Sequence, residues 1–211
     1  MRNILKSAAA LGFVAVIGTS LLTGVDALTA DRIAAQERRV ILEQLGQIIP
    51  REYDNSLLED RIVLSDENHF PKGQLVTAYR ARLNNQPVAV VLKFNAVNGY
   101  NGNISLLAGI NFDGTLRGVR VISHKETPGL GDAIEIEKSN WINIFEGKSL
   151  KKPESPLWTV KRDGGSFDQF TGATITPRAV VDAVKLALEY FETHRQFLFE
   201  AAADPSGSSA P

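Results

Sequence analysis

"ISLLAGINFDGTLRGVRVIS", residues 104–123, is the stretch that decides the fold class. Two runs rich in apolar and β-branched residues flank Asp113-Gly114, a dipeptide that supplies the positive φ angles of a type I′ hairpin turn, so an antiparallel strand pair is predicted. Upstream, "QLVTAYRARLNNQPVAVVLKFNA" (74–96) repeats the pattern: Leu75, Thr77, Tyr79, Ala81 and Leu83 alternate onto one face, Asn84-Asn85 turns the chain, and an apolar run resumes from Val88 to Leu92. The two hairpins together predict an antiparallel sheet of at least four strands. Between them "NGYNGN" (98–103) reads as a tight connection whose glycines would also let the backbone approach a ligand closely.

Downstream of the sheet the punctuation changes. "SHKETPGLGDAIE" (123–135) is a Pro- and Gly-containing loop. "WINIFEGKSL" (141–150) is helix-like, and "PLWTVKRDGGSFDQF" (156–170) suggests a further strand and a Gly-Gly turn. Thr176-Pro177 then has the form of a helix start, with the hydroxyl as N-cap and Pro at the first helical position. Val180, Val184, Leu188 and Phe191 fall on one face of a helix expected to run to about residue 198. Residues 200–211 are small and polar and are expected to be a disordered tail.

At the other end, Ser7 to Val25 contains no charge, follows Arg2 and Lys6, and is long enough for one spanning helix. A retained anchor over residues 1–26 is favoured over a cleaved export signal, because the run exceeds a signal core and no A-x-A site closes it. Arg2 and Lys6 then lie on the inner side, and the remainder is expected across the membrane. Residues 27–50 read as a separate juxtamembrane helix with Ile33, Val40, Ile41, Leu45 and Ile48 at helical spacing, Thr29 as cap and Pro50 as stop. "REYDNSLLEDRIVL" follows as a loop and a short segment of open type, at the start of a domain covering 51–199. The expected class is α+β: one N-terminal transmembrane helix, then one domain with an antiparallel sheet and flanking helices.

Composition removes several functions. With 23 basic and 24 acidic residues, none massed into a patch, nothing favours nucleic acid. The absence of Cys excludes disulfides, iron–sulfur clusters and thiolate metal sites. Only His69, His124 and His194 are present, too few for a His-rich metal centre, and no metal site is expected.

The hydroxyl-rich "DQFTGAT" (168–174), just ahead of a helix N-terminus, sits where backbone N–H groups favour an anion, although spacing alone favours local turns and a helix cap. It also resembles the flavin-attachment motif of the FMN-binding domain family, found in the RnfG component of the Rnf electron-transport complex and in one component of the sodium-pumping NADH:quinone reductase. The likeness to the Rnf component is the closer, for "YDN" (53–55), "GYNGNI" (99–104), "HKETPGLGD" (124–132), Trp141-Ile142 with Phe145 and Gly147, and "DGGSFDQFTGATITPRAVVDAVK" (163–185) occur in its order. One departure is Thr171, where several relatives have Ser.

The resemblance implies FMN bound covalently through a phosphoester to Thr174, installed by a flavin transferase with FAD as donor. It gives Asp168, Thr171, Gly172 and Ala173 to the attachment motif, with Asp168 in recognition or simply in a turn. It gives Glu126, Thr127, Pro128, Gly129, Leu130 and Gly131 to the ring-side loop, with Tyr100 and Asn101 as further ring-side candidates. Arg178 is expected to offset the phosphoester charge. The implied role is a non-catalytic electron relay in an inner-membrane Rnf-type complex coupling ferredoxin and NAD(H) to ion transport, with the domain in the periplasm and the other membrane subunits as partners. The rival readings are a membrane-anchored binding or scaffold module without redox function, and a stand-alone flavoprotein reductase.

Overall fold

A computed structural model describes residues 2–50, 52–200 and 203; the tail expected over 200–211 lies almost wholly outside the described residues. Two units are distinguished, Met1–Glu43 and Gln44–Pro211. Helix α1 runs Arg2–Ile48. In the first unit its segment Leu11–Ala30 is long and apolar enough to cross a membrane. The hydroxyls of Thr19, Thr23 and Thr29 donate to the carbonyls of Ala15, Thr19 and Val25 at 2.7, 2.9 and 2.8 Å, which removes them as bare polar groups from an apolar surround. Thr29 is therefore not a cap. The anchor and juxtamembrane helix predicted as two pieces form one element, since no residue between 26 and 29 breaks the helix.

The second unit is built on a five-stranded antiparallel meander, β1 Arg61–Leu64, β2 Val76–Leu83, β3 Gln86–Gly99, β4 Gly102–Asn111 and β5 Leu116–Ser123, in spatial order β1-β2-β3-β4-β5. The open segment before residue 65 is thus an edge strand. Asn84 and Asn85 have φ of 51° and 61°, the paired positive angles of a type I′ turn. The Asp113-Gly114 turn is different: only Gly114 enters the left-handed region, with φ 90°. Its N–H donates to the Asn111 carbonyl at 2.9 Å, and the Asp113 carboxylate accepts from the Thr115 N–H at 2.9 Å and hydroxyl at 2.6 Å. Asp113 is thus better satisfied bonding forward to Thr115 in a longer loop with Gly at the left-handed position than in a two-residue turn.

Helix α2, Ile175–Glu200, covers one face of the sheet. Its Val180, Val184, Leu188 and Phe191 are buried as their spacing predicts, in one core with Val76, Ala78, Leu92, Phe94, Leu106 and Ala108. That core face of β2 is the opposite one from the Leu75–Leu83 alternation, whose ends Leu75 and Leu83 are exposed. On the core face Arg80 is buried and ion-paired with Asp60, and on the other Tyr79 and Ala81 are buried as well.

On the second face Tyr79, Val91 and Leu107 are covered along with Leu45, Ile48 and Ile49. A Cβ at Gly109 would lie 2.1 Å from Ile48 Cγ2, so the absent side chain is what lets the end of α1 dock there.

Residues 156–170 do not form the expected strand. Pro156 and Gly164-Gly165 break the extended run into short 3-10 helices, Ser155–Leu157 and Lys161–Asp163, and a parallel bridge between Val160 and Phe167 brackets the second. Trp158 packs on Phe167 at 4.7 Å and Phe167 on Phe145 at 5.3 Å, which ties the segment to the 3-10 helix Asn140–Phe145. Gly165 is the tightest point, because a Cβ there would lie 1.9 Å from the Thr159 carbonyl oxygen. Backbone cannot yield as a side-chain tip can, so Gly165→Ala should cost about 3 kcal/mol and lower the thermal midpoint by roughly 6–12 °C. A circular-dichroism melt unchanged within a degree would contradict this packing.

Candidate functional site

Three segments far apart in sequence meet at the N-terminal end of α2. They are the β3–β4 tip, the 124–131 loop and the 170–176 elbow. Between them lies a cleft of about 290 Å³ lined by Tyr100, Glu126, Thr127, Leu130, Gly131, Gly172, Ala173, Thr174, Ile175 and Thr176.

Glu126 is the tie. Its side chain is buried, and it accepts from the Tyr100 N–H at 3.2 Å, the Asn101 N–H at 3.0 Å and the Thr176 hydroxyl. One carboxylate thus satisfies donors from the hairpin tip and from the first turn of α2, a buried network in which every member is matched. Its own N–H donates to His124 Nδ1 at 3.0 Å. That nitrogen must then be the unprotonated one, so His124 Nε2–H donates to Glu135 Oε1, 2.5 Å away. Asn101 adds a bond from its amide to the Thr127 hydroxyl at 3.2 Å. The loop needs its glycine as well: a Cβ at Gly131 would come within 2.8 Å of the Thr176 hydroxyl and 2.9 Å of Glu126 Cβ.

The elbow is set by Gly172, whose φ of 84° turns the chain between Thr171 and Ala173. Helix α2 begins earlier than the Thr-Pro pair suggested. The Thr174 carbonyl accepts the first helical bond, from the Arg178 N–H at 3.2 Å, which makes Thr174 the N-cap residue. Pro177 therefore stands at the third helical position, where a missing N–H also costs nothing. The Thr176 hydroxyl, predicted as the cap, is turned inward to Glu126 instead. Half-buried Thr174 thus lines the cleft beside the positive end of a 26-residue helix.

The cation at this hydroxyl is not the expected one. Arg178 is taken by Asp163 through bonds of 2.6 and 3.0 Å, and the hydrogen bond from the guanidinium holds the Asp163 carboxyl below the usual range. Arg162 Nη1 instead reaches the Thr174 hydroxyl, at 3.3 Å. Nothing in the sequence marked Arg162, because its approach depends on the compact turns of 157–167 rather than on spacing from the motif.

Of the other sequence candidates, Asn101 stands behind the cleft as a brace, whereas Pro128, Gly129 and Thr171 are not among the residues that line it. Asp168 is outside it too. Its carboxylate pairs with Lys161 Nζ at 2.6 Å and its carbonyl accepts from the Trp141 indole at 2.7 Å. The backbone carbonyl is the better-anchored half of Asp168, since its side chain is 65% exposed.

Residues 99–189 match the FMN-binding domain family, and residues 1–48 match the RnfG N-terminal region. The RnfG component of the ion-translocating oxidoreductase complex of Shewanella piezotolerans is 45% identical over 203 residues, 96% of each chain. Its counterpart in Pseudomonas aeruginosa is 46% identical over 201 residues, 93% of this chain and 92% of that one. This chain belongs to the RnfG family. The Vibrio cholerae member is 44% identical over 195 residues, 92% of this chain and 93% of that one, so the likeness takes in the apolar helix as well as the domain. Every wall of the cleft lies within the FMN-binding match.

The residues fit such a cofactor. Gly172 leaves the elbow without a Cβ atom, Tyr100 and Leu130 offer exposed apolar surface, and a hydroxyl, an arginine and a helix N-terminus converge where a phosphate would be held.

Proposed function

We propose that this chain is the FMN-carrying electron-relay component of an Rnf-type membrane complex, with the cofactor attached through a phosphoester to Thr174. The observation that carries the reading is the placement of Thr174: the residue lines the cleft, is the N-cap residue of α2, and has its hydroxyl touched by Arg162, which supports nucleophile and phosphate site lying together. In maturation by a flavin transferase the hydroxyl oxygen would bond to the FMN phosphorus of FAD, lose its proton and release AMP. Arg162 and the free N–H groups of the first turn of α2 would hold the resulting phosphate, while Glu126, through Tyr100, Asn101 and Thr176, fixes the walls. When bound, FMN supplies one- and two-electron transfer, and the protein supplies position and electrostatics.

The domain would lie on the periplasmic side, since Arg2 and Lys6 precede the apolar segment and favour the cytoplasmic face. Its partners would be the other membrane subunits of the assembly. Electrons would pass within a ferredoxin- and NAD(H)-coupled chain whose ion movement belongs to the complex. A covalent link suits a compartment where a lost flavin is not replaced.

The test is the full chain co-expressed with a flavin transferase, run on a denaturing gel under ultraviolet light, weighed intact and mapped by peptide. A fluorescent band heavier by FMN less water, with the added mass on the peptide containing Thr174, is expected. A dark band beside a fluorescent known substrate of the same transferase, or flavin found on Thr171, overturns the reading.

Arg162→Ala should slow flavin attachment rather than prevent it. An exposed charge beside a phosphate contributes about 1 kcal/mol, so a roughly fivefold lower rate is expected in a time course read by gel fluorescence. An unchanged rate would assign the phosphate to the helix end alone.

A further inference from the structure

Asp66, His69 and His194 come together from the segment ahead of β2 and from the C-terminal part of α2, and share no residue with the cleft. Spacing along the chain offers no hint of this, as the two histidines lie more than a hundred positions apart. Asp66 Oδ2 faces both rings, 3.3 Å from His69 Nδ1 and 3.7 Å from His194 Nε2. Its other oxygen is already used, accepting from the N–H groups of Asn68 at 2.8 Å and His69 at 3.3 Å.

The partners fix the tautomer of His194. Its Nδ1 lies 3.1 Å from the Tyr190 carbonyl, which can only accept, so Nδ1 carries the proton and Nε2 of the neutral ring presents a lone pair to Asp66. Two acceptors then face one another across 3.7 Å with no proton between them. The same ring stacks on Tyr190, with centroids 4.4 Å apart and an interplanar angle of 19°, and α2 leaves helical geometry at this residue, with φ −118° and ψ 16°. His194 is thus aimed by a carbonyl and an aromatic face, as metal-bound imidazoles are.

We propose that Asp66 Oδ2, His69 Nδ1 and His194 Nε2 bind one divalent transition-metal ion of the Zn²⁺ class, which staples the segment ahead of β2 to α2. An ion about 2.0–2.1 Å from each of four tetrahedral ligands holds them roughly 3.3–3.5 Å apart, so the two measured separations need changes of only a few tenths of an ångström. One ligand atom from each of the three side chains lies within 4.8 Å of those of the other two. Side-chain exposures of 13%, 21% and 31% leave room for a water at the fourth position. Binding needs only that the His69 ring proton move from Nδ1 to Nε2, so no proton is lost when both rings are neutral. One carboxylate and two imidazoles favour Zn²⁺ or Co²⁺ over Mg²⁺.

The test uses the full chain with its flavin, without a polyhistidine tag, in detergent and stripped with chelator. Titration with Co²⁺ should give visible d–d absorption in the red, where oxidised flavin is transparent, saturating at one equivalent and abolished by Zn²⁺. The thermal midpoint should rise by several degrees with Zn²⁺ and not with Mg²⁺. Asp66→Asn, which keeps an acceptor for the Asn68 N–H, and His194→Ala should each weaken Co²⁺ binding at least tenfold. The wild type alone provides a second readout: Zn²⁺ should protect His69 and His194, but not His124, from diethylpyrocarbonate. Absence of d–d bands and midpoint shift, protection of His124 instead, or binding unaltered in folded variants overturns the proposal.

Discussion

A chain carrying Thr174→Val is expected to emerge from maturation without flavin, dark on the gel and at its unmodified mass, a loss of at least about a hundredfold in attachment. Val keeps the β-branch and nearly the volume of Thr while removing the one atom that can bond to phosphorus. The fold should survive, since the Thr174 hydroxyl is engaged by the 3.3 Å contact from exposed Arg162 rather than by the core. Such a change usually stays within about 1 kcal/mol, so the melt should move by no more than a few degrees. Thr174→Ser should restore fluorescence, at lower yield because its hydroxyl samples more rotamers. Flavin persisting on the Val chain would move the attachment to another hydroxyl and sink the proposed function.

The second large effect concerns Glu126. Glu126→Ala leaves the N–H groups of Tyr100 and Asn101 and the hydroxyl of Thr176 without their acceptor at once. Each orphaned donor costs about 1–3 kcal/mol, and water entering from the adjoining cleft offsets part, so a loss of about 3–5 kcal/mol is expected. In a domain of this size that lowers the midpoint by roughly 6–20 °C. Glu126→Gln retains the volume but offers one acceptor oxygen where three donors converge, and should fall between. The two separate in melts followed by circular dichroism. A midpoint unmoved in the Ala chain would mean that the three walls of the cleft are held by packing rather than by this carboxylate.

The sheet was legible because its signals are local. Asn84-Asn85 turns where two asparagines accept positive φ, and the β4–β5 hairpin lies where Asp113-Gly114 indicated, although Asp113 bonds forward to Thr115 and lengthens the loop. The stripe of α2 was legible for the same reason. Its first residue was not, because Thr174 and Thr176 are both competent caps and the choice is made by Glu126, fifty positions upstream of Thr176. Residues 156–170 were misread since Trp158 and Phe167 look like strand residues, yet they are spent on an aromatic cluster with Phe145.

The candidate site divides the same way. The elbow stood out as a run of hydroxyls and small residues, and Gly172, Ala173 and Thr174 do share one cleft with Tyr100, Glu126 and Leu130. Arg162 escaped notice, and Arg178 was preferred, because which arginine reaches Thr174 is decided by Asp163 capturing the other. Asp66, His69 and His194 illustrate the limit: a cluster assembled from opposite ends of a domain has no pattern to be read along the chain.

The meander pairs only strands that follow one another, β1 through β5 in order. Such neighbour-to-neighbour pairing closes short loops and favours rapid assembly. The cleft obeys a different timetable, for it waits on residues 172–176, and these arrive after every strand has been synthesised. A chain cut short before residue 172 therefore has all the pieces of a sheet and an unclosed seat, lacking the wall that carries Thr174. If Thr174 carries the flavin as proposed, only chains extended past the elbow can be loaded.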